Sequence, residues 1–225
     1  MGRIYFLYMA RIRGNKGFAL IDVAVMTGVI ALLGATAAFV LNPADMLKES
    51  RDVERITDLG KMNAAMGLLL ATSDWRPARG VCAEGTATST SPLGEALWKG
   101  LDMSVPIPRC YQHAPSSVAR CEERYEAPIS GAASASRKND GSGWVPMNLS
   151  RAAGGTLLAE WPVDPKEDGM NFYSFVCRRD GDRVKWEFAA HMESARYGAG
   201  GQDDAESTDG GNRPGLLEVG TDMGL

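Results

Sequence analysis

The sequence lacks the short motifs that mark common catalytic sites: it has no G-x-S-x-G, no P-loop, no G-x-G-x-x-G and no H-E-x-x-H. Histidine is scarce. His113 and His191 are the only two, and neither has a Ser or Cys nearby in a recognisable arrangement. His191 reads as a bystander on the solvent side of a strand, and no catalytic residue or enzymatic role is expected. C-x-x-C is missing as well, which sets aside zinc ribbons and fingers. There is no basic excess: 24 Lys and Arg stand against 28 Asp and Glu, a net charge of −4. That balance excludes a strongly basic nucleic-acid binder. The one basic cluster, Arg178-Arg179 with Arg183, reads as solvation of a turn. With 44% hydrophobic residues and no internal repeat, the chain is neither collagen-like nor a disordered polar polymer.

Two further absences are local. Residues 1–17 contain Arg3, Arg11, Arg13 and Lys16 but no acid, which leaves the other 208 residues with 20 basic and 28 acidic side chains. Phe18 to Leu41, by contrast, has a single ionisable group, Asp22. As a helix this stretch would measure about 36 Å, enough to cross a bilayer core of about 30 Å. It is apolar all round, as expected where lipid or packed neighbours surround it. Asn42-Pro43 ends the run, because proline disfavours helical geometry at the residue before it. The basic leader is expected to stay in the cytoplasm, placing everything after Leu41 outside. Two ordinary readings are an uncleaved signal anchor and a secretory signal cut at Ala35-Thr36-Ala37. The length of the run, its resumption at Phe39-Val40-Leu41 and its carboxylate argue against secretion.

The stretch Lys16-Gly17-Phe18-Ala19-Leu20-Ile21-Asp22 followed by an apolar helix resembles the class III signal of type IV pilins and type II secretion pseudopilins. In that family a short basic leader ends in Gly, Phe follows, and an acid lies five places into the mature chain. The resemblance implies that a prepilin peptidase cuts after Gly17 and that Phe18 becomes an N-methylated terminus. It also implies that Asp22 pairs with the terminal amine of a neighbouring subunit. A carboxylate within a membrane helix is energetically expensive and usually has a partner, and pairing with an amine offsets the desolvation of both groups.

After Pro43, apolar residues at Leu47, Val53, Ile56, Leu59, Met62 (or Asn63), Met66 and Leu70 recur at helical spacing. Asn42 is a possible N-cap and Pro43 suits a first turn, giving an amphipathic helix over 43–72. Lys48, Glu49, Arg51, Asp52, Glu54, Arg55, Asp58 and Lys61 read as its solvated face, each ion pair worth little. Residues 18–72 would thus form one long kinked helix, again resembling the family. From 73 the composition breaks into short elements. Glu84–Pro92 and Ser130–Gly143 read as loops, and Pro92–Trp98 as a short helix. Asn171–Cys177 and Val184–Met192 read as strands joined through an Asp180-Gly181 turn. In the second strand Val184, Trp186, Phe188, Ala190 and Met192 face the helix, while Lys185, Glu187 and His191 face solvent. A helix on a small antiparallel sheet is an α+β head, here 73–225.

Cys82, Cys110, Cys121 and Cys177 all follow the span, and an even count in an exported domain points to two disulfides. Three connectivities are open. One bridge is expected within Cys82–Cys121, with Cys177 tying the hairpin to the remaining cysteine. The Gly- and Asp-rich segment 198–225 offers Asp203, Asp204, Glu206 and Asp209 as hard oxygen ligands for Ca²⁺. Major pseudopilins resemble it in carrying a calcium loop near the C-terminus, whereas a flexible solvated tail is the simpler reading. Leu216, Leu217 and Val219 suggest a last strand.

The expectation is a filament subunit of a type IV pilus or pseudopilus, with no cofactor required. Its partners would be prepilin peptidase, other pilin or pseudopilin subunits, the inner-membrane assembly platform and the lipid bilayer, with no evident nucleic-acid binding. It would lie in the cytoplasmic membrane with its head outside, then in an extracellular pilus or a periplasmic pseudopilus. The alternative is a single-pass anchored ectodomain with a ligand-binding or enzymatic role.

Overall fold

The computed structural model describes residues 20–77, 81–84, 109–113, 121–124 and 130–225. The leader, the Gly17-Phe18 junction, most of the 84–92 stretch and the helix expected at 92–98 lie outside the described residues. The chain divides into two units, one ending at Pro43 and one covering Ala44–Leu225.

The first unit contains helix α1, Leu20–Leu41. It is long and apolar enough to cross a membrane or to serve as a signal sequence. Asn42 follows with φ of 36°, in the left-handed region that Asn tolerates better than most side chains.

The second unit is α+β. Helix α2 (Pro43–Thr72) packs on a sheet of β1 (Ala83–Glu84), β2 (Arg109–His113), β3 (Ser130–Ser134), β4 (Ser174–Asp180), β5 (Arg183–Ala190) and β6 (Leu217–Gly220). The strand order is β3-β2-β4-β5-β6, with β1 also on β4. β2 and β1 share one edge of β4, at Ser174–Val176 and at Arg178–Arg179 respectively. The sheet is mixed, not antiparallel as expected. β2 runs parallel to β3, and β1 runs parallel to β4. A parallel neighbour needs a crossover connection, here within the stretch between β2 and β3, of which Cys121–Arg124, a 3-10 turn, is described. β3 also corrects the loop reading of 130–143: Ser-Gly-Ala-Ala-Ser has little strand propensity and is held by its parallel partner.

The β4–β5 hairpin forms, but its strands run closer to the turn than expected. Arg178, Arg179, Asp180 and Arg183 are ladder residues, and Gly181-Asp182 makes the two-residue loop. Gly181, at φ of 59°, supplies the positive φ that such loops require.

The core lies between α2 and one face of the sheet. Leu59, Met62, Ala65, Met66 and Leu69 meet Tyr173, Phe175, Trp186 and Phe188, with Trp144, Val145, Met147 and Trp161 from the preceding loops. Phe175 and Phe188 stack at 4.9 Å between ring centroids, with Trp161 6.1 Å from Phe188. Trp186 Nε1 donates to Asn63 Oδ1 at 3.0 Å, fixing β5 against α2. The disulfides are Cys82–Cys177, which bridges the β1 side to β4, and Cys110–Cys121, which ties β2 to the 3-10 turn. Bridges of this kind typically contribute about 2–4 kcal/mol, more for longer loops. Their sequence separations of 95 and 11 make Cys82–Cys177 the stronger constraint.

The amphipathic reading of α2 holds for its second half only. Leu47, Val53 and Ile56 are exposed, and the head-facing stripe is Asp52, Arg55, Leu59, Met62, Met66 and Leu69. This stripe keeps the helical 3–4 spacing but begins with two charges. Asp52 and Arg55 are therefore buried, not solvated. Arg55 forks onto Asp164, from Nε and Nη2 at 2.7 and 2.8 Å, and also reaches Asp52 and Glu193. Asp52 in turn accepts from the backbone N–H groups of Glu193 and Ser194. Arg51 forks onto Glu193, and Lys166 pairs with it from the side. Three cations thus face three anions. Burial alone would lower the Arg55 pKa, but its bonds to Asp164, Glu193 and Asp52 outweigh burial and raise it. Arg51 leads the groups that hold Glu193 down at about 2.

Candidate functional site

In α1 every described side chain, from Leu20 to Ala37, is exposed. Leu20 is 88% exposed, and Ile21, Val23, Val25, Met26, Val29, Ile30, Leu32 and Leu33 are each more than half exposed. The two threonine hydroxyls are turned back onto their own helix: Thr27 donates to Val23 O at 2.7 Å and Thr36 to Leu33 O at 2.9 Å. An apolar helix whose hydroxyls and backbone are satisfied internally is suited to lipid or to packing against other helices. Asp22 sits in its first turn and is the only acid on the helix. Gly17 and Phe18, which the resemblance pairs with Asp22, lie outside the described residues.

α2 has a second unpartnered face, the side turned from the head. Met46, Leu47, Val53 and Ile56 are exposed there, and Gly60 and Ala64 continue the stripe toward half-buried Gly67. A Cβ added at Gly60 or Gly67 would meet nothing within 4 Å. Small residues at helical spacing below a group of larger ones let another helix approach closely. Following the apolar spacing through Val53 and Ile56 picks out this outward face, so the sequence reading assigned those residues to the wrong side.

The four candidate calcium ligands do not converge. Asp203 pairs with Arg196. Asp204 accepts from the N–H groups of Gly200, Glu206 and Ser207 and from the Ser207 hydroxyl, closing a loop on itself. These bonds, led by Ser207, hold its carboxyl down at about 2. Glu206 is buried and accepts from Met192 N and Ala199 N. Asp209 accepts from Gly211 N and Glu218 N. Among the described residues no group of three His, Cys, Asp or Glu side chains is placed to hold a metal. The acids instead organise the backbone of 198–212, so the segment is a folded loop leading into β6 and not a flexible tail.

Both histidines are held by neighbouring protein groups. His113 contacts Glu167 through Nδ1 and Ala135 O through Nε2. His191, expected on a solvent face, lies 2.9 Å from Glu206 and 3.1 Å from Gly215 O, and the bond to Glu206 raises its pKa. The second face of the sheet is covered in this region. Arg124 reaches across it to the carbonyls of Met170, Phe172 and Ala189, with its guanidinium 3.6 Å above the Phe172 ring. Glu187, also expected to face water, is 1% exposed. The buried charges at Arg55, Arg124 and Glu187 carried no sequence signal beyond Arg55 and Glu187 falling on regular helix and strand positions. In comparisons with known proteins, no family model, no curated protein and no solved structure matches the chain.

Proposed function

We propose that the chain is a type IV pilin-like structural subunit of a pilus or of a type II secretion-like pseudopilus. In this reading prepilin peptidase cuts after Gly17, Phe18 is N-methylated, and α1 waits in the cytoplasmic membrane until the assembly platform draws it into a helical filament. Asp22 pairs with the Phe18 amine of an adjacent subunit, and α1 supplies the filament core. The observation that carries the reading is α1 itself: an apolar helix, exposed on all sides over Leu20–Ala37, with one acid in its first turn. Heterologous, head-to-tail contacts between such helices generate open helical filaments. The outward face of α2 gives neighbouring subunits a further place to pack.

The α2 face supplies a test independent of the head's own stability. Gly60→Leu is expected to leave the melting temperature of the purified protein unchanged or raised by a few degrees, since Gly60 is exposed, a side chain there meets nothing, and Leu is a better helix former than Gly by somewhat under about 1 kcal/mol. Incorporation into filaments, measured by pull-down of sheared surface material, should fall several-fold. Filaments at wild-type yield would show that this face is not a packing surface. A single-pass ectodomain used as a receptor or enzyme would also tolerate the substitution.

A further inference from the structure

Glu187 of β5 and Glu218 of β6 lie on the face of the sheet away from α2, and each is only 1% exposed. The strands are antiparallel neighbours, with Glu187 opposite Gly220 and Ala189 opposite Glu218. The segment from Asp209 to Leu225 closes over them. Glu187 Oε2 accepts from the N–H of Leu225 at 3.0 Å, and Glu218 Oε2 accepts from the N–H of Arg213 at 2.8 Å. Glu218 Oε1 is buried and meets no N–H or hydroxyl donor. Gly211 packs so tightly against this carboxyl that any Cβ there would overlap Oε2.

Among the described residues no cation pairs directly with either carboxyl. Arg178 of β4 and Lys185 of β5 both bind Asp222, itself an acid facing Glu187. Arg124, from the 3-10 turn, is committed to carbonyls and the Phe172 ring, and His191 to Glu206 and Gly215 O. Asp209 adds a second negative charge beside Glu218, which the Arg213 charge partly offsets. Two desolvated carboxyls in contact cannot both ionise cheaply, and among the described residues the group placed to donate to the second oxygen of Glu218 is the Glu187 carboxyl.

We propose that Glu187 and Glu218 share one proton, and that this carboxyl–carboxylate hydrogen bond is a latch fastening the 209–225 segment over the sheet, tight in acid and progressively weaker as pH rises. The proton resides on Glu187 and is donated to the Glu218 carboxylate, leaving Glu187 Oε2 free to accept from Leu225. Burial, reinforced by Glu218, pushes the Glu187 carboxyl from 4.5 up to about 9, and burial raises Glu218 as well. A carboxyl raised on folding stabilises the closed form fully below its open-state pKa and loses that contribution as pH climbs to its closed-state value. Opening of 209–225 is therefore expected to grow by up to about tenfold per pH unit between about 5 and about 9, and to level off above. The pair is not a cation site on this view: Asp209 and Asp222 are already engaged, and two carboxyls alone make a poor hard-ion cage.

The test uses the full chain in detergent and compares wild type with Glu187→Gln, whose amide still offers Glu218 a donor but cannot titrate. Hydrogen exchange of the amides in 217–225, corrected for intrinsic rate, is followed from pH 5 to pH 10. Because His191, whose pKa the Glu206 bond raises, also responds to pH, the quantity read is the difference between the two proteins. Wild-type protection should fall with the slope given above, whereas Glu187→Gln should lack that component and be the better protected at pH 9. Glu218→Gln is the second variant, should Glu187→Gln fail to fold: its amide can donate to an ionised Glu187, so the pH-dependent loss of protection should be shallower than in wild type without vanishing, because Glu187 stays buried. Parallel pH profiles for wild type and variant would overturn the shared proton. So would a wild-type melting temperature raised by Ca²⁺ and unaffected by Ca²⁺ in the variant, since that would place an ion between two ionised carboxylates.

Discussion

Asp22→Ala is expected to insert in the membrane as wild type does and to be lost from filaments. An acid within a membrane helix opposes insertion, by about 2.5–3.5 kcal/mol at the helix centre and less near an end, so removing it cannot impair anchoring. In the assembled state the effect reverses. The carboxylate would face the methylated amine of a neighbouring subunit, and truncating one partner of a buried charge pair typically costs about 2–5 kcal/mol because the other charge is left unpaired. At about 1.4 kcal/mol per tenfold, each intersubunit contact would weaken by roughly thirtyfold or more. Asp22→Glu is expected to restore assembly and Asp22→Asn to restore little, because the amide keeps the shape but not the charge. Membrane fractionation and electron microscopy of sheared filaments read the two steps separately. Normal filaments from the alanine variant would sink the pairing mechanism while leaving the membrane role of α1 intact.

Arg55→Met is expected to be the most damaging single substitution in the head. Arg55 is 0% exposed and is the hub between α2, the loop at Asp164 and the strand end at Glu193. Its removal leaves Asp52 and Asp164 buried, with only backbone N–H groups to hold them. Breaking a buried pair in this way costs about 3–5 kcal/mol, which for a domain of this size lowers the melting temperature by roughly 6–20 °C. Arg51→Ala should cost less, because Arg51 is partly exposed and Glu193 keeps Arg55 and Lys166. The network also sets an acid limit. Glu193 is held well below its ordinary value, so its contribution is complete above about pH 4.5 and disappears as pH falls through about 2. A melting temperature that moves by less than about 2 °C for Arg55→Met would mean that the six charges contribute under about 1 kcal/mol.

The apolar first helix and the α+β class were legible in the sequence for simple reasons. An uninterrupted run of 24 residues with one charge reads the same way whatever surrounds it, and Pro43 marks the start of α2 by backbone chemistry alone. The β4–β5 hairpin was legible because Tyr173, Phe175 and Cys177 alternate toward the core on one side, Val184, Trp186 and Phe188 on the other, and Gly181 permits the turn. Four features were not. β3 is built from small residues that prefer no strand, and its parallel pairing depends on a crossover that no local pattern encodes. The charged end of the head-facing stripe on α2 hid because Asp52 and Arg55 lie where helical period puts core residues, yet polarity assigns them to water. Glu187 was misread for the same reason in a strand, since alternation tells which face a residue is on but not what covers that face. The carboxylates of 198–212 resembled metal ligands by composition, whereas the structure spends Asp204, Glu206 and Asp209 largely on backbone N–H groups in and beside the loop and Asp203 on Arg196.

The pilin-like account stands most directly on what happens at Gly17-Phe18. Intact-mass and N-terminal peptide mass spectrometry of the protein recovered from membranes or filaments reads that event in one experiment. The account predicts a chain beginning at Phe18 and carrying one methyl group on its α-amine. A terminus at Met1 would contradict it in favour of an uncleaved anchor, and a terminus at Ala38 would contradict it in favour of ordinary secretion.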